Sequence, residues 1–349
     1  MAYYQTRISK GNEAYTVAVV CANDFEVSAV RSMFDEEHQR MPNKPEDPNH
    51  YILGKLSGHD TVLAWCPRVR SENAVRTVAA NIGKAFPSIQ WRFLTGIGGG
   101  VPDTDDIRLG DVVVGVPAYN RRGGLVQYDI ETDADNGSKL KCSFSTPPTK
   151  LINDVSMMKS NHLGRGNRIE EFIKEMLKRD GGRFNYQRPP STLDVLFAAG
   201  YPHVPGNQRR CESCDAEHVL ERSNREYGGP QIHYGLIASS RRVMENTFQR
   251  DSEAQNIGGD VLCFDMEAAG LDTDFECLVI RGISDYADSH KNGVWKYYAA
   301  AAAAACTKEI LTLIRTATGS HHSGHNTFIG SGIQNTGNMT IHGDYSLSC

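Results

Sequence analysis

The sequence predicts an α/β protein, a three-layer sandwich around a mixed, partly barrel-like central sheet. Five apolar runs with strand character alternate with segments of helical periodicity and with a hairpin. A chain of 349 residues with 40% hydrophobic and 23% charged residues can bury the core that this fold requires. Acidic residues directly follow several of the strand-like runs, and this placement indicates where a ligand would bind.

The first predicted strand covers residues 15–21 and leads into a helix for which Asp24 is the predicted N-cap. Four apolar residues then follow with helical spacing: Val27, Val30, Met33 and Phe34. Glu26 therefore lies in the first helical turn, just past the end of a strand. Acidic residues are common in first turns because they interact favourably with the helix dipole, so the position also fits a structural carboxylate.

A glycine-rich segment, residues 95–102, follows the predicted strand 91–94 and is expected to be an irregular loop that begins with Thr95. Consecutive glycines let backbone amides approach a ligand closely. The segment lacks the Gly-Lys-Ser/Thr of a Walker loop and the glycine spacing of a dinucleotide site. Since another apolar strand, residues 112–116, comes next, the pattern predicts a substrate cradle built from backbone.

Two apolar runs near the carboxyl end of the chain, residues 261–264 and 277–280, each deliver carboxylates. Glu267 follows the first run, and Asp285 follows the second. Ligands bind at the carboxyl ends of strands in α/β sheets, so the two side chains are expected to converge on one crevice. The alternative is that both only cap helices.

Five motifs carry a resemblance to a known superfamily: AVVCANDFEV, LTGIGGGVP with LGDVVVG, HYGLIASS, DMEAAG and VIRGISDYAD. In this order, over residues 15–315, they resemble the nucleoside phosphorylase and nucleosidase superfamily, and the catalytic pattern is most similar to methylthioadenosine/S-adenosylhomocysteine nucleosidases. The run RGISDYADSHKN, together with an insertion containing CESCD, resembles the domain that fungi place at the N-terminus of NLR-like and ankyrin-repeat proteins.

The resemblance implies a role for each matched residue. Glu26 would position and deprotonate the attacking water, and Asp285 would protonate purine N7 while Ser284 orients it. Three groups would bind the substrate: Glu267 beside Met266 on the ribose hydroxyls, and the backbone of Gly98 and Gly99 near the sugar and base. No cofactor is implied.

Phosphorylases of the superfamily have an arginine for phosphate in the turn after the first strand. Here that turn, residues 22–26, contains a carboxylate, and no arginine lies between it and Arg31, so the resemblance implies hydrolysis and not phosphorolysis. The expected activity is that of a purine nucleosidase that releases adenine from adenosine, AMP or ATP. A phosphate-dependent phosphorylase and a non-catalytic sensor or interaction module are the alternatives. The basic candidates for a 5′ phosphate are Arg121, Arg122, Arg241, Arg242 and His233.

Base recognition departs from the family pattern, which would place a stacking aromatic residue near Val243. A valine cannot stack on a purine ring. Three aromatic residues of a long insertion, which covers about residues 181–230, are candidate substitutes: Phe184, Tyr186 and Phe197.

The same insertion contains Cys211 and Cys214 in a C-x-x-C pattern, with His218 after it and His203 before it. This spacing is typical of zinc sites, although a single C-x-x-C also fits a redox pair, a local disulfide or plain packing. The assignment is therefore no metal, with Cys211, Cys214 and His218 as the candidate ligands should one bind.

Composition limits the partners. A net charge of −5 and a pI near 6.2 argue against nucleic-acid binding, and the sequence has neither a signal peptide nor a membrane-spanning run. A cytoplasmic protein with a small-molecule purine as partner is expected, and the superfamily resemblance implies a homo-oligomer.

The expected domain covers residues 1–318, and residues 319–349 form a tail rich in Gly, Asn, Ser and Thr. Two similar segments of this tail, residues 326–330 and 338–343, have the composition of β-stacking repeats. The alternative is a disordered terminus. The tail is similar to amyloid-like signalling motifs of fungal death-pathway proteins, and it suggests an effector in fungal immunity or cell death.

Overall fold

The computed structural model describes residues 8–39, 45–65, 72–102, 105–117, 123–133, 137–179, 184–205, 211–258, 260–271 and 275–315. Residues up to Arg315 form one compact unit. The predicted tail, Arg121 and Arg122 lie outside the described residues. Among the described residues, none of the helices combines the length and the apolar character needed to cross a bilayer.

The first part of the chain confirms the predicted strand, helix and hairpin. Its elements are β1 Val17–Val20, α1 Asp24–Ser32, β2 Glu36–Glu37, β3 His50–Leu56, β4 His59–Trp65 and α2 Glu72–Ala85. The two residues between β3 and β4, Ser57 and Gly58, have positive φ of 51° and 79°, as a two-residue hairpin turn requires. The N-cap of α1 is Asn23 and not Asp24, because Asn23 has the extended backbone of a cap whereas Asp24 is already helical.

Strand β5, Trp91–Gly100, corrects the prediction of an irregular glycine-rich loop. The strand continues through the glycines, and Gly99 and Gly100 pair with the later strand β10. None of the glycines from 96 to 100 has a positive φ. These glycines therefore serve close approach to neighbouring atoms and not backbone freedom.

The rest of the described chain supplies six strands and four helices. They are β6 Val112–Gly115, β7 Leu125–Asp133, β8 Gly137–Ser145, α3 Thr149–Arg165, α4 Ile169–Arg179, β9 Ile232–Ser239, α5 Thr247–Ile257, β10 Val261–Asp265, β11 Leu278–Asp285 and α6 Lys296–Leu313. Among these elements, the predicted runs 112–116, 261–264 and 277–280 correspond to β6, β10 and β11.

One mixed sheet joins these strands in the order β2-β3-β4-β1-β5-β11-β6-β9-β7-β8. Strand β10 pairs with β5 on one side and with β9 on the other, so β5, β11, β6, β9 and β10 close on themselves. The β5 pairings with β1 and β11 are parallel, whereas β10 runs antiparallel to β5. The predicted mixed, partly barrel-like sheet is therefore confirmed.

Helix α6 packs on β5, β6 and β11 and gathers α1, α3 and α4 around itself. Its seven consecutive alanines, residues 299–305, are all buried. A Cβ at Gly282 of β11 would overlap the carbonyl oxygen of Ala299. Small residues on both elements thus allow the α6 backbone to pack directly against the β11 backbone. This packing fixes the position of β11, the strand that ends in Asp285.

Candidate active site

A cavity of about 280 Å³ opens where β1, β5, β10 and β11 end. Five segments far apart in sequence form its wall: the start of α1, the glycine-rich end of β5, the residues after β9, the end of β10 with the residues that follow, and the end of β11 with the segment up to the start of α6. Because β1, β5 and β11 are parallel, their carboxyl ends lie at one edge. The antiparallel β10 brings its own end back along the glycines of β5.

Ser284 and Asp285, at the end of β11, line this cavity and are both buried. Ser284 Oγ lies 2.8 Å from Asp285 Oδ2 and 3.3 Å from the carbonyl oxygen of Gly98. The Ala287 amide donates to Asp285 Oδ1 at 3.0 Å, and Lys291 Nζ lies 3.5 Å from Oδ2. Ala287 has a φ of +51°, so the turn that fixes the carboxyl group is held in the left-handed region.

Glu26 lies directly behind the wall, with only 1% of its surface exposed. Its Oε2 accepts hydrogen bonds from the amides of Asn23, at 2.9 Å, and Ala22, at 3.2 Å. Its Oε1 accepts one from the Ile97 amide at 3.0 Å. Asn23 and Ile97 line the cavity, so a single layer of residues separates the Glu26 carboxylate from it.

The electrostatic environment of Glu26 raises its affinity for a proton. Burial, and then the charge of Glu267, raises the pKa of Glu26 to about 7, against the opposing effect of Arg281. A carboxyl group with such a pKa changes protonation state near neutral pH. A general base is most effective when its pKa lies near the working pH.

Arg281, in the middle of β11, is fully buried and was not predicted to belong to the site. Its Nη2 lies 2.5 Å from Asp265 Oδ2 and 3.7 Å from Glu267 Oε2. A side chain at Gly96 would overlap both Arg281 Nη1 and Glu26 Oε1, so the guanidinium and the carboxylate meet above this glycine. One buried cation thus lies among three carboxylates.

Glu267 and Met266 follow β10 and line the cavity. The Glu267 carboxylate accepts a hydrogen bond from the Met266 amide at 3.4 Å, and 16% of its side chain is exposed. Burial raises the pKa of Glu267, while Arg281 opposes the rise. Helical structure begins only at Ala268, as a single 3₁₀ turn, so the predicted helix start is short.

Gly98 and Gly99 also line the cavity. A Cβ at Gly98 would lie 2.5 Å from Cys263 Sγ, and one at Gly99 would lie 2.8 Å from Asp285 Oδ1. Any larger residue at position 99 would therefore displace the carboxyl group. Both glycines line the cavity, and their role in a substrate cradle stays a prediction.

The aromatic side chains of the cavity are Phe25 and Phe264, which sequence reasoning missed. Val243 also lines the cavity, with 49% of its surface exposed. Two of the three proposed stacking residues are not among the residues that line this cavity. Tyr186 donates to the Phe25 carbonyl and packs on Tyr297, and Phe197 stacks on His290 with 4.0 Å between ring centroids. The side chain of the third, Phe184, lies outside the described part of the structure.

Two predicted ligand-binding residues are in other places. Thr95 Oγ1 lies 2.9 Å from Thr307 Oγ1 of α6, on the far side of β5 from the cavity. His233 lies at the amino end of β9 and its Nε2 lies 2.9 Å from Asp111 Oδ2, so it is a member of an ion-pair group with Arg225. Arg241 is not among the lining residues, but the basic residues Arg242, Lys291 and Lys296 are.

A second cavity, of about 180 Å³, lies behind Asp285 and shares Ser284 and Asp285 with the first. Its wall includes Cys211 and Cys214 of the insertion, as well as His290. The potential ligand atoms of His203, Cys211 and Cys214 all lie within 4.8 Å of one another. His218 instead stacks on Tyr201 with 4.1 Å between ring centroids, so the histidine beside the cysteines is His203.

Comparison with known proteins agrees with this geometry at the level of the fold. A methylthioadenosine/S-adenosylhomocysteine nucleosidase from Neisseria meningitidis, solved with methylthio-immucillin-A, superposes with a TM-score of 0.52 at 18% identity, over 86% of this chain and 99% of that one. The futalosine hydrolase of Helicobacter pylori superposes with a TM-score of 0.53 at 14% identity, over 86% and 99%. The chain therefore has the nucleoside phosphorylase/nucleosidase fold.

A curated relative is an NLR-like protein, described as nucleotide-binding with leucine-rich repeats, from the fungus Hyaloscypha variabilis. It is 34% identical over 310 residues, which are 88% of this chain. The chain spans about 30% of the length of that relative. No protein-family model matches the chain.

Proposed function

We propose that the chain is a purine nucleosidase, an N-glycosyl hydrolase that releases adenine from adenosine-type nucleosides or nucleotides. One observation carries the proposal. Glu26, a buried carboxyl group with a pKa of about 7, lies behind one wall of a cavity whose other wall holds Asp285 against Ser284. A base and an acid on two sides of one cavity are the groups that hydrolysis of a glycosidic bond requires.

Asp285 is the proposed general acid. Cleavage of the N-glycosidic bond develops negative charge on the leaving purine, which a proton on N7 neutralises. A serine hydroxyl has one proton, so Ser284 can donate either to Asp285 or to the Gly98 carbonyl. When Asp285 is protonated, Ser284 donates to Gly98 and leaves the acid proton available to the base.

Glu26, Glu267 and Arg281 act on the other side of the bond. The sugar becomes positively charged in the transition state, and the carboxylates around it stabilise this charge. Glu267, partly exposed to the cavity beside Met266, is placed to accept hydrogen bonds from the ribose hydroxyls. Glu26 accepts a proton from water, and Arg281 keeps both carboxylates in place by its charge.

Water is the proposed acceptor because the same carboxylates disfavour phosphate. Like charges that are close together in a poorly solvated site repel strongly. We expect adenine and free ribose, or ribose phosphate, to form at the same rate in phosphate-free buffer and in phosphate, as measured by chromatography of adenosine, AMP and ATP reactions. Strict dependence on phosphate, with ribose 1-phosphate as product, would show a phosphorylase. Absence of adenine from all three substrates would favour a non-catalytic module.

The activity should depend on pH through Glu26. A general base acts only when deprotonated, and a group with a pKa of about 7 is deprotonated in about a tenth of the molecules at pH 6. The acid form of Asp285 also depends on pH, but this dependence is shared by the wild type and the Glu26→Gln variant and cancels in the ratio of their kcat/KM values. We expect this ratio to be about tenfold lower at pH 6 than at pH 8, as measured by initial rates of adenine release. A ratio that is the same at the two pH values would remove Glu26 from the role of base.

The 5′ group of the substrate is proposed from the basic side chains at the cavity. Arg242, Lys291 and Lys296 line it, and cations favour a phosphorylated ribose. A purine base is supported by a protein of the same fold, since the Neisseria enzyme was solved with the nucleoside analogue methylthio-immucillin-A. The ratio of kcat/KM for AMP or ATP to that for adenosine measures this preference.

We further propose that this activity belongs to a fungal immune or cell-death effector that acts in the cytoplasm as a homo-oligomer. The NLR-like relative supports the immune role, since 34% identity covers most of this chain. Cells that express the full chain should release adenine and stop growing, whereas cells that express its Asp285→Asn variant should do neither. This contrast would connect the activity with growth arrest.

A further inference from the structure

The insertion places two thiols and an imidazole at one point. Cys211, Cys214 and His203 offer ligand atoms within 4.8 Å of one another, and all three side chains are partly buried. A tetrahedral zinc ion, with bonds of about 2.0–2.3 Å, has ligand atoms roughly 3.5 Å apart. A contraction of about 1 Å by side-chain rotation therefore suffices to form the site.

The backbone around the two cysteines is shaped for this purpose. Cys211 has a φ of +56°, in the left-handed region, and its carbonyl accepts a hydrogen bond from the Cys214 amide at 3.0 Å. A non-glycine residue in this conformation costs energy, which the surrounding structure must offset. The tight turn directs both sulfur atoms to the same side.

Amide groups also point at the sulfur atoms. The Val204 backbone N–H donates to Cys214 Sγ at 3.5 Å, and Asn292 Nδ2 donates to Cys211 Sγ at 3.9 Å. Such donors stabilise thiolates and are typical of the groups that surround metal ligands. Cys211 Sγ also lies 3.6 Å from the carbonyl oxygen of His290, a contact that a thiolate would not use as a donor.

His290 lines the same cavity as the two cysteines, although it is not part of the group whose ligand atoms lie within 4.8 Å of one another. It is 92% buried by surface area, since its exposed fraction is 8%, and within the described chain its Nε2 has no hydrogen-bond partner. Its ring lies 5.6 Å from the His203 ring, between centroids. A buried ring nitrogen without a partner is costly, and a metal bond would satisfy it.

We propose that His203, Cys211 and Cys214 bind a structural zinc ion, with His290 as the fourth ligand. Three ligands come from the insertion and the fourth from the loop after Asp285. The His203 amide already donates to Ser289 Oγ of that loop at 3.0 Å. The ion ties the insertion to the segment that positions Asp285 and Lys291. The two thiolates balance the charge of the zinc ion, so the complete site adds no net charge beside Asp285.

Metal analysis of the purified full-length chain tests this proposal. After expression with added zinc and dialysis, we expect about one zinc ion per chain. The Cys211→Ser, Cys214→Ser and His203→Ala variants should fall to background, while the matched control His218→Ala should keep its zinc. His290→Ala should lose zinc to a competing chelator at a lower chelator concentration than the wild type.

Two measurements on the wild-type chain stand even where a variant fails to fold. Cobalt(II) in place of zinc should give the near-ultraviolet charge-transfer band of thiolate ligands, and a strong chelator should lower the melting temperature. A zinc-free chain with Cys211 and Cys214 joined in a disulfide by mass spectrometry would overturn the proposal. Loss of zinc from His218→Ala together with retention in His203→Ala would overturn the ligand assignment.

Discussion

The Asp285→Asn variant is expected to lose about 10²–10⁴-fold in kcat for adenine release, since this is the usual contribution of one general acid. Asparagine has the shape of aspartic acid and can still accept the Ala287 amide hydrogen bond, but it has no acidic proton to give to N7. Binding should change much less than turnover. Adenine release followed by chromatography gives kcat, and a substrate analogue that resists cleavage gives the dissociation constant.

Asp288→Asn is the matched control. Asp288 is also buried, three residues further on, and it accepts a hydrogen bond from the His290 amide, which an asparagine oxygen can also accept. It lines only the second cavity. We expect its kcat to stay within a few-fold of the wild type. Equal losses in the two variants would mean that charge in this loop, and not a proton from Asp285, is needed.

The Arg281→Met variant should be the most damaging change for stability. Methionine leaves Asp265, Glu26 and Glu267 close together without a buried cation, and such unpaired charges cost about 3–5 kcal/mol. For a folded unit of this size the loss corresponds to a drop of about 5–8 °C in melting temperature. Differential scanning calorimetry at pH 8, where the carboxyl groups are most ionised, measures it.

Two further variants show whether charge is the cause. Arg31→Met removes an exposed arginine paired with Glu37 at 2.5 Å, and a surface pair contributes about 1 kcal/mol or less. The double variant Arg281→Met, Asp265→Leu removes the 2.5 Å ion pair as a whole and should regain part of the lost stability. A single Arg281→Met variant that melts with the wild type would show that Arg281 does not stabilise the folded protein through these carboxylates.

Arg281 was predictable from the sequence, although the pattern was not used. It stands inside the apolar run CLVIRGIS, and an arginine within a buried strand requires carboxylate partners. The carboxylates Glu26, Glu267 and Asp285 were identified because each follows a strand-like run. Their partner was missed because attention to strand ends overlooks a long side chain that reaches the same edge from the middle of a strand.

Strand geometry explains why Thr95 and His233 lie away from the cavity. Side chains alternate between the two faces of a strand, so Thr95 faces α6 while Gly96 faces Glu26 and Arg281. His233 is the second residue of β9 whereas Ser239 ends the strand, and it is the latter end that lies beside Asp265 of β10. The choice of His203 over His218 depends on the path of an irregular loop, which no periodic pattern encodes.

The position of β11 between β5 and β6 has a consequence for synthesis of the chain on the ribosome. β5 ends at residue 100 and β6 at residue 115, yet the strand that joins them begins at residue 278. At about 5–20 residues per second, more than 160 residues must be added before that gap can be filled. Arg281, Ser284 and Asp285 arrive with the same strand, and the helix that covers it ends at Leu313. A nascent chain therefore cannot bring Glu26 and Asp285 to one cavity until nearly all of the folded unit has been synthesised.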